Sequence, residues 1–222
     1  MSLDSAAALD AGIEQLDLVL PAAVRAKLAT YLDLLAKWNA TYNLTAIRDR
    51  DQMVSHHLLD SLSVAKYVVA GRMLDVGSGG GLPGIPLALW GEACLPGLYV
   101  TVVDSNHKKS AFLRQAQIEL KLSNLQVCGE RVETWQPPQR FDQIISRAFS
   151  DLGEFFQLTR HLGTPPSDAQ AAGARWLAMK GVHPHEELQH LPEDCRLDQV
   201  HRLLVPGLQA ERHLVVLRAA HV

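Results

Sequence analysis

The chain has 222 residues, 47% of them hydrophobic and 20% charged, with a formal net charge of −3. That length and balance suit a folded soluble protein with a sizeable core and exclude the disordered and fibrous classes. The slight acidity excludes coating of nucleic acid by bulk attraction and leaves room for a local basic face.

The amino terminus, MSLDSAAALDAGIEQL, has neither a positive n-region nor an apolar h-region, so no export is expected. The most apolar region, 82–103, is broken by Pro83, Gly84, Pro86, Gly91, Glu92, Pro96 and Gly97, which removes it as a membrane span. Three widely spaced cysteines, Cys94, Cys128 and Cys195, offer no disulfide framework or zinc spacing and suit a reducing cytoplasm.

The first 70 residues hold two or three helical patterns and no good strand. In 21–40, Val24, Leu28, Tyr31, Leu32, Leu35 and Trp38 recur at intervals of three and four, with Pro21 suited to the first turn. In 49–69, Met53, Val54, Leu58, Leu62, Ala65 and Val69 repeat the pattern. Residues 1–70 therefore read as a helical cap on a domain formed by 71–222.

From residue 72, short apolar runs alternate with helical patterns, as in βαβ units with a parallel sheet. Strands are predicted at 73–77, 98–103, 125–128, 142–146 and 175–179, with helices near 83–91, 107–121 and 151–162. Residues 163–174, GTPPSDAQAAGA, read as a surface loop. The segments DCRLDQVHRLLV and RHLVVLRAA are joined by too short a turn for a crossover helix, so the last pair must be antiparallel. The predicted class is α/β, a mostly parallel sheet of Rossmann type with an antiparallel end.

The stretch MLDVGSGGGLPGIPLALW ends a strand in glycines that open a helix, a geometry that presents backbone N–H groups to a small anionic or nucleotide ligand. Gly79, Gly81 and Gly84 satisfy G-x-G-x-x-G, and Asp104 follows 20 residues later, so spacing alone permits NAD and an oxidoreductase. Asp75 ahead of the glycines favours a cationic ligand instead. S-adenosylmethionine offers an ammonium and a sulfonium to Asp75 and ribose hydroxyls to Asp104, with Glu130, Val132 and Glu133 near its adenine.

WNATYNLTAI (38–47), HHLLDSL (56–62), LDVGSGGGLPGIPLAL (74–89), VDSNHKKSAFLRQ (103–115), ISRAFSDL (145–152), AMKG (178–181) and ERHLVVLR (211–218) together resemble the RsmG family, also called glucose-inhibited division protein B. The resemblance implies a seven-stranded S-adenosylmethionine-dependent methyltransferase fold. It also implies a cytoplasmic enzyme that methylates N7 of one guanine in 16S ribosomal RNA, and cofactor contacts from Gly77, Leu82, Val132, Glu133 and Arg147. Gly80 and His56 depart from the residues other members often carry. The alternative of another class is a non-catalytic S-adenosylmethionine- or RNA-binding assembly factor.

Guanine N7 presents a bare lone pair, so its methylation needs no prior deprotonation. This fits the absence of an Asn/Asp-Pro-Pro-aromatic motif after the fourth strand and of a Pro-Cys nucleophile. Ser146, Arg147 and Asn43 are the candidates for positioning roles. Lys109, Arg114, Lys180 and Arg212 are candidates for contacts to small-subunit ribosomal RNA or to a 30S particle, with Phe149, Tyr42 and Trp38 able to stack on a base. Core packing is the preferred reading for Trp38. The His57/Asp60 pair is expected to make a structural hydrogen bond between cap and core, and a metal site at His183, His185, Glu186 and His190 is disfavoured for want of a ligand spacing. A monomer is expected.

Overall fold

The computed structural model describes residues 3–147, 149, 151–165 and 173–220. Helices α1 (Leu3–Gln15), α2 (Ala22–Tyr42) and α3 (Arg50–Met53) lead into a π-helical segment (Val54–Leu59), α4 (Asp60–Leu62) and a 3-10 turn (Ala65–Tyr67). Then follow β1 (Gly71–Val76), α5 (Gly84–Cys94), β2 (Leu98–Val103), α6 (His107–Glu119), β3 (Leu125–Cys128), β4 (Gln143–Ser146), α7 (Leu152–Thr159), β5 (Arg175–Lys180), α8 (His185–Gln189), β6 (Cys195–Leu203) and β7 (Arg212–Ala219).

The strands form one sheet in the order β3-β2-β1-β4-β5-β7-β6. The β1–β5 ladders are parallel, and β7 runs antiparallel between β5 and β6. The predicted α/β class with an antiparallel end is therefore present. The sequence placed β2 and β3 at the observed residues, while β1 starts two residues earlier than predicted.

The long apolar run after the glycines has a packing reason. Gly84 to Gly91 of α5 are all buried, because the helix is covered by the sheet on one side and by α2 and α4 on the other. A helix apolar all round requires cover all round. One hydrophobic cluster consequently joins Leu28, Leu32 and Leu35 of α2 to Leu87 and Leu89 of α5 and Phe112 of α6. A second cluster, built around Phe155, Phe156 and Trp176, fills the opposite face under α7.

Helix ends follow side-chain chemistry. Asn106 accepts from the Lys108 and Lys109 N–H groups at the start of α6, and Asp151 accepts from Glu154 N–H at the start of α7. Pro21 stands at the cap position immediately before α2. The pattern read over 49–69 resolves into α, π and 3-10 pieces rather than one helix. In the π segment, the Asp60 N–H reaches back to the carbonyl of Ser55. Of the segment expected to be a surface loop, residues 166–172 lie outside the described residues.

Candidate active site: a glycine loop and two adjoining clefts

The loop after β1 is shaped by left-handed glycines. Gly77, Gly79 and Gly81 have φ of 67°, 58° and 90°, conformations in which a side chain is strained. Gly84 is required for a different reason: a Cβ there would lie 2.5 Å from Val102 Cγ1 and 2.7 Å from Asp75 Oδ2. Tyr31 of α2, fully buried, donates from its hydroxyl to the Gly80 carbonyl at 2.5 Å. Helix α2 thus holds the loop from behind.

Asp75 was expected beside a cationic ligand. It is wholly buried under the loop, where its Oδ2 accepts from Ser78 Oγ at 2.5 Å and from Gly84 N–H at 2.8 Å. Its Oδ1 is sealed from solvent with no hydrogen-bond partner among the described residues. Burial pushes this carboxyl up to about 6, against the lowering effect of the Ser78 and Gly84 bonds. Leu82, expected at the cofactor, is buried in the core on the cap side.

A cleft opens at the carboxyl ends of β1, β2 and β3, lined by Gly77, Asp104, Ser105, Val132, Glu133 and Phe149 among others. It adjoins the point where strand order reverses between β1 and β4, the usual ligand position in open parallel sheets. Asp104 ties the cleft to the loop: its Oδ2 accepts from Gly79 N–H at 3.0 Å and its Oδ1 from Asn106 N–H at 2.9 Å. Phe149, read as an RNA contact, lies in this cleft and packs on Phe155 at 5.3 Å between ring centroids.

A second cleft lies beside it, between the π segment and the ends of β4, β5 and β7. Its lining includes His56, His57, Asp60, Arg147, Lys180 and Arg212. Asp60 is 1% exposed, and each of its oxygens takes a different guanidinium: Oδ2 accepts from Arg147 Nη1 and Oδ1 from Arg212 Nε, both at 3.0 Å. Arg147 Nη1 also donates to the His56 carbonyl at 3.0 Å. Arg147 was expected at the cofactor and lines this second cleft. Ser146, the preceding residue, donates to the Val76 carbonyl at 2.8 Å and so fastens the end of β4 to the end of β1.

The expected His57–Asp60 bond is replaced by separate partners. His57 Nε2 lies 2.9 Å from Thr45 Oγ1, while its Nδ1 is buried with no partner among the described residues. Burial, aided by the nearby positive Arg147, pushes this imidazole down to about 4, so it is neutral at neutral pH. Widening of the helix at the π segment lets His56, His57 and Asp60 face the cleft; residue type carries no signal for that. The charged Asp60 inside an apolar helical stretch was the one visible hint.

The expected basic face divides between these places. Lys109 sits 3.6 Å from Asp104 at the first cleft, and Arg114 is exposed further along α6. Lys180 pairs with Glu187 of α8 at 2.8 Å, and Arg212 joins Asp60. Asn43 lines neither cleft: it ends α2 in a left-handed conformation, φ 50°. Its neighbour Asn39 is the structural residue of that motif, accepting from Thr45 N–H and donating to the Ile47 carbonyl. Trp38 packs on Phe112 at 5.6 Å and on Tyr42 at 5.2 Å, as core packing requires.

Comparison with known proteins identifies the family and the fold. The family model described as GidB, rRNA small subunit methyltransferase G, matches residues 24–215. The ribosomal RNA small subunit methyltransferase G of Pseudomonas fluorescens is 58% identical over 188 residues, which is 85% of this chain and 83% of that protein. That of Pseudomonas aeruginosa is 53% identical over 208 residues, 93% of this chain and 92% of its own. Among solved structures, the O-methyltransferase TomG from Streptomyces achromogenes, in complex with SAM, superposes with a TM-score of 0.54 at 17% identity, over 86% of this chain and 90% of that one, a likeness of fold. The chain belongs to the rRNA small subunit methyltransferase G family.

Proposed function

We propose that this chain transfers the methyl group of S-adenosylmethionine to N7 of a guanine in small-subunit 16S ribosomal RNA. The acceptor RNA is taken free, in a 30S subunit or in an assembly intermediate, and the enzyme acts as a cytoplasmic monomer. The observation that carries the reading is the first cleft, where the glycine loop, Asp104, Val132 and Glu133 meet at one end of the sheet. Among the described residues no helix is long and apolar enough to cross a membrane.

The residues fit the cofactor. The first cleft sets the bare backbone of Gly77 beside the Asp104 carboxylate, with Val132 and Glu133 on its wall, a lining suited to a nucleoside that carries ribose hydroxyls. When bound, S-adenosylmethionine supplies an electrophilic methyl group on a sulfonium. Gly77, Gly79 and Gly81 shape the loop, Asp104 would offer its carboxylate to the ribose hydroxyls, and Val132 and Glu133 would stand beside the adenine.

The chain's own task is then positioning. Guanine N7 needs no base, so the rate enhancement rests on holding it in line, an effect that reaches roughly 7 to 11 kcal/mol in favourable cases. Ser146 fixes the junction of β1 and β4 through Val76, and Arg147, locked by Asp60, borders the acceptor side. Residues 1–70 serve as a cap that supports the loop through Tyr31 and completes the acceptor side through the π segment, while 71–222 bind the cofactor.

Disrupting the gene tests the reading. One 7-methylguanine should vanish from small-subunit ribosomal RNA, along with the strand cleavage it confers after borohydride and aniline treatment. Unchanged cleavage at every site would overturn it.

A further inference from the structure

We propose that the cleft between the π segment and the ends of β4, β5 and β7 seats a phosphodiester of the substrate RNA beside the guanine to be methylated. This rests on the ribosomal RNA reading above and adds to it a defined place for the strand.

The charge balance points to one negative group. Arg147, Arg212 and Lys180 line the cleft, and Asp60 is the one acidic residue in that lining, so the lining carries more positive than negative charge. Asp60 alone holds two guanidiniums at 3.0 Å each, one per oxygen, so both are immobilised before any ligand arrives. Preorganised guanidiniums lose little further freedom on binding and match phosphate oxygens in geometry.

A second observation is independent of charge. His57 is 3% exposed, lines the cleft, and has an Nδ1 without a partner among the described residues. A buried polar atom without a partner, on a residue that lines a polar cleft, is one that an entering ligand atom can satisfy. Neutral at neutral pH, the imidazole offers one hydrogen bond to a phosphate oxygen or ribose hydroxyl without adding charge.

The methylated base itself suits the cleft poorly. Methylation at N7 makes the guanine ring cationic, and two fixed guanidiniums would oppose that charge as it develops. The phosphate belongs among the arginines and the base toward the first cleft. The Ser146–Val76 bond keeps these two places side by side on adjacent strands β1 and β4.

The test uses the full chain and a short RNA hairpin carrying the target guanine, with affinity measured by fluorescence anisotropy across salt concentrations. Arg212→Gln should weaken binding roughly tenfold and lower the slope of log Kd against log salt by about one, and Arg212→Lys should restore the slope. A neutral methylphosphonate at one linkage flanking the guanine should weaken binding to the wild type and cost Arg212→Gln nothing further. No effect of that substitution at either linkage on the wild type, or an equal effect on both proteins, would overturn the proposal. Saturable binding of inorganic phosphate that Arg212→Gln abolishes, with the methylphosphonate RNA bound normally, would assign the seat to a free anion and also overturn it. Calorimetry should find S-adenosylmethionine affinity unchanged in Arg212→Gln; a parallel collapse would mean general damage and count against the seat. A wild type with all the expected RNA signatures and no methyl transfer would sink the proposed function and leave the seat standing.

Discussion

Tyr31 and Gly80 are joined by a 2.5 Å hydrogen bond, hydroxyl to carbonyl, across the boundary between the cap and the glycine loop. Burial raises the Tyr31 hydroxyl well above the usual phenol range, so it remains a neutral donor. Tyr31→Phe leaves the Gly80 carbonyl without its partner. The expected cost is about 1–3 kcal/mol in urea unfolding, the penalty for an unsatisfied buried acceptor. S-adenosylmethionine affinity, measured by calorimetry, should fall roughly tenfold, or about 1.4 kcal/mol, because the loop loses its rear support.

Gly84→Ala drives a methyl group into Val102 and the Asp75 carboxylate. Overpacking of this kind costs typically about 1–3 kcal/mol. Displacing Asp75 also disturbs its bond to Ser78, so loss of cofactor binding should exceed what the stability loss alone produces. Thermal unfolding and calorimetry on the same preparation separate the two.

Asp60 is the hub of the second cleft, and its truncation uncovers two guanidiniums. Asp60→Ala should destabilise the fold by about 3–5 kcal/mol, the range for breaking a buried ion pair on one side. Asp60→Asn, which keeps the shape and one acceptor, should cost clearly less in denaturant unfolding. A smaller loss for Ala than for Asn would contradict the role assigned to the carboxylate.

His57 makes stability depend on pH with a definite sign. Its folded pKa of about 4 lies below the ordinary 6.5, so the folded chain binds fewer protons between those values. The contribution is complete above pH 6.5 and is lost as pH falls toward 4, on the order of 3 kcal/mol. Asp75, raised from 3.8 to about 6, acts oppositely: its contribution is present below 3.8 and lost as pH rises through 6. The stability difference between wild type and His57→Asn cancels the Asp75 effect and should shrink steadily on acidification. A difference that stays flat from pH 7 to 4 would refute the assignment.

The sheet was legible because its central strands are largely buried on both faces and read as short apolar runs; LYVTVV marks β2 at its observed bounds, and LQVC does the same for the partly exposed edge strand β3. The glycine loop was equally plain, since three φ values of 58° to 90° in five residues strongly favour glycine. The second cleft was not. Asp60 meets Arg147 and Arg212 at sequence separations of 87 and 152, distances over which no periodicity connects residues. Helix α8 is five residues long, too short for an amphipathic repeat to show. Asp75 was noticed for its charge, but whether a carboxylate faces a ligand or lies beneath the loop depends on the packing of Gly84, which spacing does not encode.

The antiparallel placement of β7 has a consequence for folding. Because β7 enters the sheet in reverse, its first residue, Arg212, arrives at the same end as the last residues of β4 and β5. Asp60 therefore keeps an unmatched oxygen until β7 has docked against β5, even when the glycine loop, β1 to β5 and Arg147 are already in place. Docking of β7 and completion of the second cleft are the same event.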